Sequence, residues 1–75
     1  MKIKVKMIGH FIYEAGLSEK ELELEKPITA SQLLSFINIQ EQRPKIIIRN
    51  GRAIALDEEL EDGDRIAISP IYSGG

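Results

Sequence analysis

Two glycines close the sequence, which ends SPIYSGG with Gly74 and Gly75 last. Neither has a side chain to bury, and glycine loses more freedom on ordering than any other residue. A frayed terminus is one account of such an end. The other makes the terminal carboxylate of Gly75 the reacting group, with the glycines letting it reach a narrow site. The remaining chemistry-bearing residues are few. There is no cysteine, and therefore no disulfide and no thiolate metal site. His10 is the single histidine and makes neither a metal site nor a catalytic pair on its own. The acidic run Asp57 to Asp64 lacks the twelve-residue ligand spacing and in-register bidentate glutamate of a calcium loop. A solvated turn is expected there, and a contact for a basic partner surface is the alternative.

Composition narrows the classes further. Hydrophobic residues make up 43% and charged residues 29% of a 75-residue chain, which places it with folded domains rather than disordered chains. A net charge of -2 with no evident basic patch argues against nucleic-acid binding as the main activity. The opening MKIKVKMIGHFIYEAG is interrupted by lysine at every second early position, as a strand would be and a targeting segment would not. Nothing is long enough to cross a bilayer, and a cytoplasmic protein is expected.

The elements that must carry the tail follow from periodicity. Lys2 to Met7 alternates, with Lys2, Lys4 and Lys6 on one face and Ile3, Val5 and Met7 on the other, as in a half-buried strand. ELELE, residues 21–25, alternates as well. Paired antiparallel, the lysine and glutamate stripes face each other, and each cross-strand pair adds a few tenths of a kcal/mol, up to ~1. Gly9 and Gly16 bracket a segment suited to one helical turn. After Pro27, Thr29 and Gln32 have the spacing of a capping box, and Leu33, Leu34 and Ile37 with Ala30 form the apolar stripe of a two- to three-turn helix. That helix stops before Pro44. Asn50-Gly51 supplies the two positive-φ residues of a tight hairpin between strands Lys45 to Arg49 and Arg52 to Leu56. Leu60 tucks inward, Asp62-Gly63 turns, and Arg65 to Ser69 is the last strand, with Ile66 and Ile68 inward and Ala67 and Ser69 outward.

This order predicts an α+β two-layer domain, a mixed sheet of four to five strands with one main helix on one face. The covered face is expected to hold Ile3, Val5, Leu22, Leu24, Ile46, Ile48, Ile66 and Ile68 under the helical leucines and Ile37. The open face is expected to hold Ile47, Ala53, Ala55 and Ala67, a small apolar area beside Ile71 and Tyr72. Contiguous exposed apolar surface is a candidate docking site.

The motifs KIKVKMIG, PITASQLLSFI, IIIRNGRAI, LEDGDRIAISP and the final GG resemble the ThiS/MoaD family of sulfur carrier proteins, relatives of ubiquitin with the β-grasp fold. The resemblance runs the length of the chain. DGD before a strand that leads to a terminal GG is its most specific combination. The tail, Pro70 to Gly75, looks closer to the small subunit of molybdopterin synthase, although Ile71 stands where that branch typically has a second proline. The long first loop also looks like that branch, while the compact hairpin is similar to the thiazole-forming carriers.

The resemblance implies a β-grasp domain over residues 1–70 and a flexible tail over 71–75. It implies that Gly75 is adenylated and then converted to a thiocarboxylate that donates sulfur in molybdopterin or thiamine thiazole biosynthesis. Gly74 would give the narrow approach, and Ile47, Ala67, Pro70, Ile71, Tyr72 and Ser73 would contact partners. The implied partners are an adenylating enzyme of the ubiquitin-activating type and a sulfur-accepting synthase. The chain would hold no cofactor or metal, with ATP and magnesium on the activating enzyme. It would be a carrier and not an enzyme, monomeric when free, or the small subunit of a synthase complex. A ubiquitin-like modifier joined through Gly75 and a plain binding module are the alternatives.

Overall fold

The computed structural model describes residues 1–40 and 42–71. Seven elements follow in chain order: β1 (Lys2–Met7), α1 (Phe11–Ala15), β2 (Glu19–Glu23), α2 (Ala30–Phe36), β3 (Lys45–Arg49), β4 (Arg52–Ile54) and β5 (Arg65–Pro70). The strands form one sheet in the order β2-β1-β5-β3-β4. Its two innermost neighbours, β1 and β5, are parallel, and the other pairs are antiparallel. This is the expected α+β architecture, with the last strand in the middle.

The charge stripes pair as their alternation dictates. Lys2, Lys4 and Lys6 stand opposite Glu23, Glu21 and Glu19, and Lys2 Nζ lies 3.4 Å from Glu21 Oε1. The second strand starts two residues earlier than ELELE suggests, because β1 takes Glu19 to Glu23 as its partners. Leu24 consequently lies beyond the strand, partly buried against the core.

Each helix is short and explained by its ends. α1 begins at Phe11, which is fully buried, and stops at Gly16, whose φ of 80° admits the left-handed cap. α2 carries the predicted capping box: Thr29 Oγ1 accepts from Gln32 N at 3.1 Å, and Gln32 Oε1 accepts from Thr29 N at 2.9 Å. Its first two free N–H groups, on Ala30 and Ser31, donate to the carbonyls of Glu58 and Leu56 at 2.9 Å each. The segment between β4 and β5 therefore completes the helix start that a capping box alone leaves half satisfied. The buried helical residues Ala30, Leu33 and Leu34 join Ile3, Val5, Met7, Phe11, Ile66 and Ile68 in one core. Each large side chain buried there contributes about 1.5–3 kcal/mol relative to exposure.

One expectation is corrected. Ile47 faces the core, 3% exposed, while Ile46 is 39% exposed and Ile48 is half-buried on the open side. The register decides it: Ile47 stands opposite Ile54 and Ile68, and Ile48 stands opposite Ala53 and Ala67. Directly opposed residues share a face, so Ile48 must lie outward with the two alanines. β4 also ends at Ile54, short of the expected Leu56.

Candidate functional site

The open face divides into two halves. On β2 and β1 it is a ladder of alternating charge. On β5, β3 and β4 it carries Ala67, Ser69, Ile46, Ile48 and Ala53. Lys4, Lys6 and Arg65 run between the halves, since Lys4 stands opposite Arg65 and Lys6 opposite Ala67. A shallow groove crosses this boundary, lined by Lys4, Lys6, Ile48, Arg65 and Ala67 together with the hairpin turn Asn50-Gly51. A second groove lies at the end of the sheet where β5 finishes. Ile71 lines it with Arg43, Pro44, Ile46, Ile54 and Leu56. Ile71 is 53% exposed, and Leu56 is exposed beside it. Neither groove encloses the constellation of a catalyst, and no group of three or more His, Cys, Asp or Glu among the described residues could hold a metal ion.

The expected contact residues sort as follows. Ala67 is half-buried on the open face, and Ile71 is exposed at the end of β5. Pro70 is buried, with its backbone opposite Lys45. Ile47 belongs to the core and leaves the open face to Ile46 and Ile48. Tyr72, Ser73, Gly74 and Gly75 lie outside the described residues. The signal that identifies Ile48 was present in the hairpin: a two-residue turn at Asn50-Gly51 forces Arg49 opposite Arg52 and Ile48 opposite Ala53.

What holds β5 in place is concentrated at its start. Asn50 and Gly51 both have positive φ, 51° and 87°, as the turn requires. The Asn50 side chain then spans to β5: its Nδ2 donates to Asp64 Oδ1 at 3.1 Å, and its Oδ1 accepts from Arg65 N at 2.9 Å. Asp64 Oδ2 accepts from Glu61 N at 2.8 Å and lies 3.8 Å from Arg49 Nε. The acidic run is thus not solvated throughout. Asp64 is 6% exposed and Leu60 1%. Asp62 Oδ1 accepts from Lys2 N at 2.7 Å, and Gly63 N donates to Lys2 O at 2.8 Å, so DGD ties β5 to β1 before either strand has fairly begun.

Comparison with known proteins follows this architecture. A protein of Pyrococcus furiosus assigned as molybdopterin converting factor, subunit 1, is 30% identical over 95% of this chain and 99% of its own, with a TM-score of 0.76. SAMP1 from Haloferax volcanii, a small archaeal modifier protein, superposes over the whole of both chains with a TM-score of 0.75 at 21% identity. A chain of the complex of subunits 1 and 2 of molybdopterin-converting factor from Helicobacter pylori does so with a TM-score of 0.67, also at 21% identity. No helix among the described residues is long and apolar enough to cross a membrane. Residues 5–75 match the ThiS family, and the chain therefore belongs to that family, on a ubiquitin-like β-grasp fold.

Proposed function

We propose that this protein is a sulfur carrier whose reacting group is the carboxylate of Gly75. The carboxylate attacks the α-phosphorus of ATP on an adenylating enzyme, and pyrophosphate leaves. A sulfide-equivalent nucleophile then attacks the acyl carbon, AMP leaves, and a thiocarboxylate remains. A free carboxylate cannot undergo the second step, because its charge repels the nucleophile and it has no adequate leaving group. The adenylate must be kept from water, which calls for a closed site entered by a narrow chain. Gly74 and Gly75 meet that need. The thiocarboxylate would serve molybdopterin or thiazole formation. ATP and magnesium belong to the partner, and this chain acts as co-substrate.

The observation that carries this reading is the family match running through Gly75, on a fold that feeds the chain end from a central strand. The open face supplies recognition: Ile46, Ile48, Ala53 and Ala67 form the apolar contact, with Ile71 at the base of the tail. The larger subunit of a synthase is the second partner we propose, in line with the subunit 1–subunit 2 complex of the Helicobacter pylori neighbour. The likeness to a small archaeal modifier favours one other reading, in which a lysine amine on a target attacks the same adenylate.

Thiol alkylation and intact mass, after incubation with an adenylating enzyme, ATP and a sulfur donor, test the proposal. With no cysteine in the chain, an alkylated product carries added sulfur. Label on the Gly75 fragment is the expected outcome. An adenylate without label supports the modifier, and no adenylate with any such enzyme supports a plain binding module. Gly74→Ala is expected to slow activation while leaving the unfolding midpoint unchanged. Equal adenylation rates would remove the narrow-approach argument.

A further inference from the structure

We propose that Glu14 and Arg43 are positioning residues that fix the direction in which the chain leaves the sheet after Pro70. β5 ends between two flanks. On one side β1 runs parallel to it, Met7 stands level with Ile68, and Ile8 N donates to Ile68 O at 2.9 Å. α1 begins three residues after Ile8 and so stands on that flank. On the other side β3 runs antiparallel, its first residue Lys45 stands opposite Pro70, and Arg43-Pro44 immediately precede it. Arg43 Nε lies 3.1 Å from Glu14 Oε1 and joins the two flanks.

The setting of Glu14 is unlike that of a solubilising surface carboxylate. Its side chain is only 20% exposed. Its second oxygen, Oε2, is buried and has no hydrogen-bond partner among the described residues, although His10 Nδ1 lies 3.5 Å away. Burying a carboxylate oxygen without a hydrogen bond opposes folding. That cost is borne at the place where the chain emerges. Arg43 has a second part in the arrangement, because it lines the same groove as Ile71. Held by Glu14, it sets one wall of that groove, which Ile71 lines together with Ile46 and Leu56. If the carrier reading holds, keeping Ile71 in place lowers the ordering cost of binding the activating enzyme.

The test uses the intact 15N-labelled chain. Parent, Glu14→Gln, Arg43→Gln and Arg43→Lys are compared, with Lys2→Gln as a control that breaks the Lys2–Glu21 pair on β1 and β2. The backbone amides of Ile71 and the residues after it are read by chemical shift and by 15N relaxation. Both Gln variants are expected to move these signals and to take the order parameter of Ile71 below about 0.6. Arg43→Lys is expected to restore them toward the parent, and the control to leave them in place. Unmoved signals at Ile71 in either Gln variant, with the amides of α1 and residues 42–44 shifted, would overturn the proposal. So would an Arg43→Lys spectrum matching that of Arg43→Gln. Should the parent fail to be adenylated by any enzyme, the carrier reading falls while this comparison keeps its meaning.

Discussion

The two ends of β5 are built on opposite principles. At its start, Asp64 is buried and bonded to Glu61 and Asn50, Asn50 is bonded to Arg65, and the turn before it is locked to Lys2. Side chains there serve the backbone and leave little free. At its finish, Pro70 is backbone-paired and buried, the next residue is half exposed, and an ion pair joins the flanking segments. The difference teaches that anchoring the start leaves the finish available for presentation, so changes at the two ends should separate stability from function.

The largest effect is expected at the anchored end. Asp64→Ala removes a charged acceptor and leaves Glu61 N and the Asn50 amide without their partner. Hydrogen bonds to charged groups contribute about 1.5–3 kcal/mol, and the loss expected here is about 2–3 kcal/mol, measured by chemical denaturation. An unchanged midpoint would break the comparison at its root. Gly63→Ala is expected to cost less. Its φ of +86° lies in the left-handed region, while an added Cβ would meet nothing within 4 Å. The cost is then conformational alone, about 1 kcal/mol after allowing for the reduced freedom of the unfolded chain. A loss much above that would mean that the turn is coupled to β1 through more than its backbone bonds.

The sequence made one of these ends more legible than the other. The turns, the capping box and the alternation of β1 and β5 are local features, written within a few neighbouring residues, and they appear where expected. Ile46, Ile47 and Ile48 are chemically identical, so alternation cannot say which of them faces inward. Their side is fixed by partners on two other strands. The hairpin register held the answer, because Asn50-Gly51 as a two-residue turn puts Ile48 beside Ala53. The burial of Asp64 had no local signal of that kind. It depends on Asn50, fourteen residues away in sequence and brought near only when β3 meets β5. The Glu14–Arg43 pair is likewise a product of sheet order, joining residues that no motif connects.

The smallest change in stability is expected at the presenting end, and it is there that function should respond most. Ile71 is 53% exposed and follows the last sheet residue. Ile71→Asp removes little buried surface and should shift stability by no more than about 0.5 kcal/mol. It also places a carboxylate in the groove that Ile46 and Leu56 line with Arg43. If a partner covers that groove, the charge must be desolvated or must force the contact apart, and affinity for the activating enzyme should fall by about tenfold, some 1.4 kcal/mol. Isothermal titration of parent and variant measures this directly. Equal affinities would confine recognition to the sheet face proper, where Ile48 and Ala67 lie, and would leave the end of β5 as an exit rather than a contact. A loss of affinity with the unfolding midpoint preserved would separate the two ends as the anchoring contrast requires, because the same strand would then tolerate at its finish a change in charge that it cannot tolerate at Asp64.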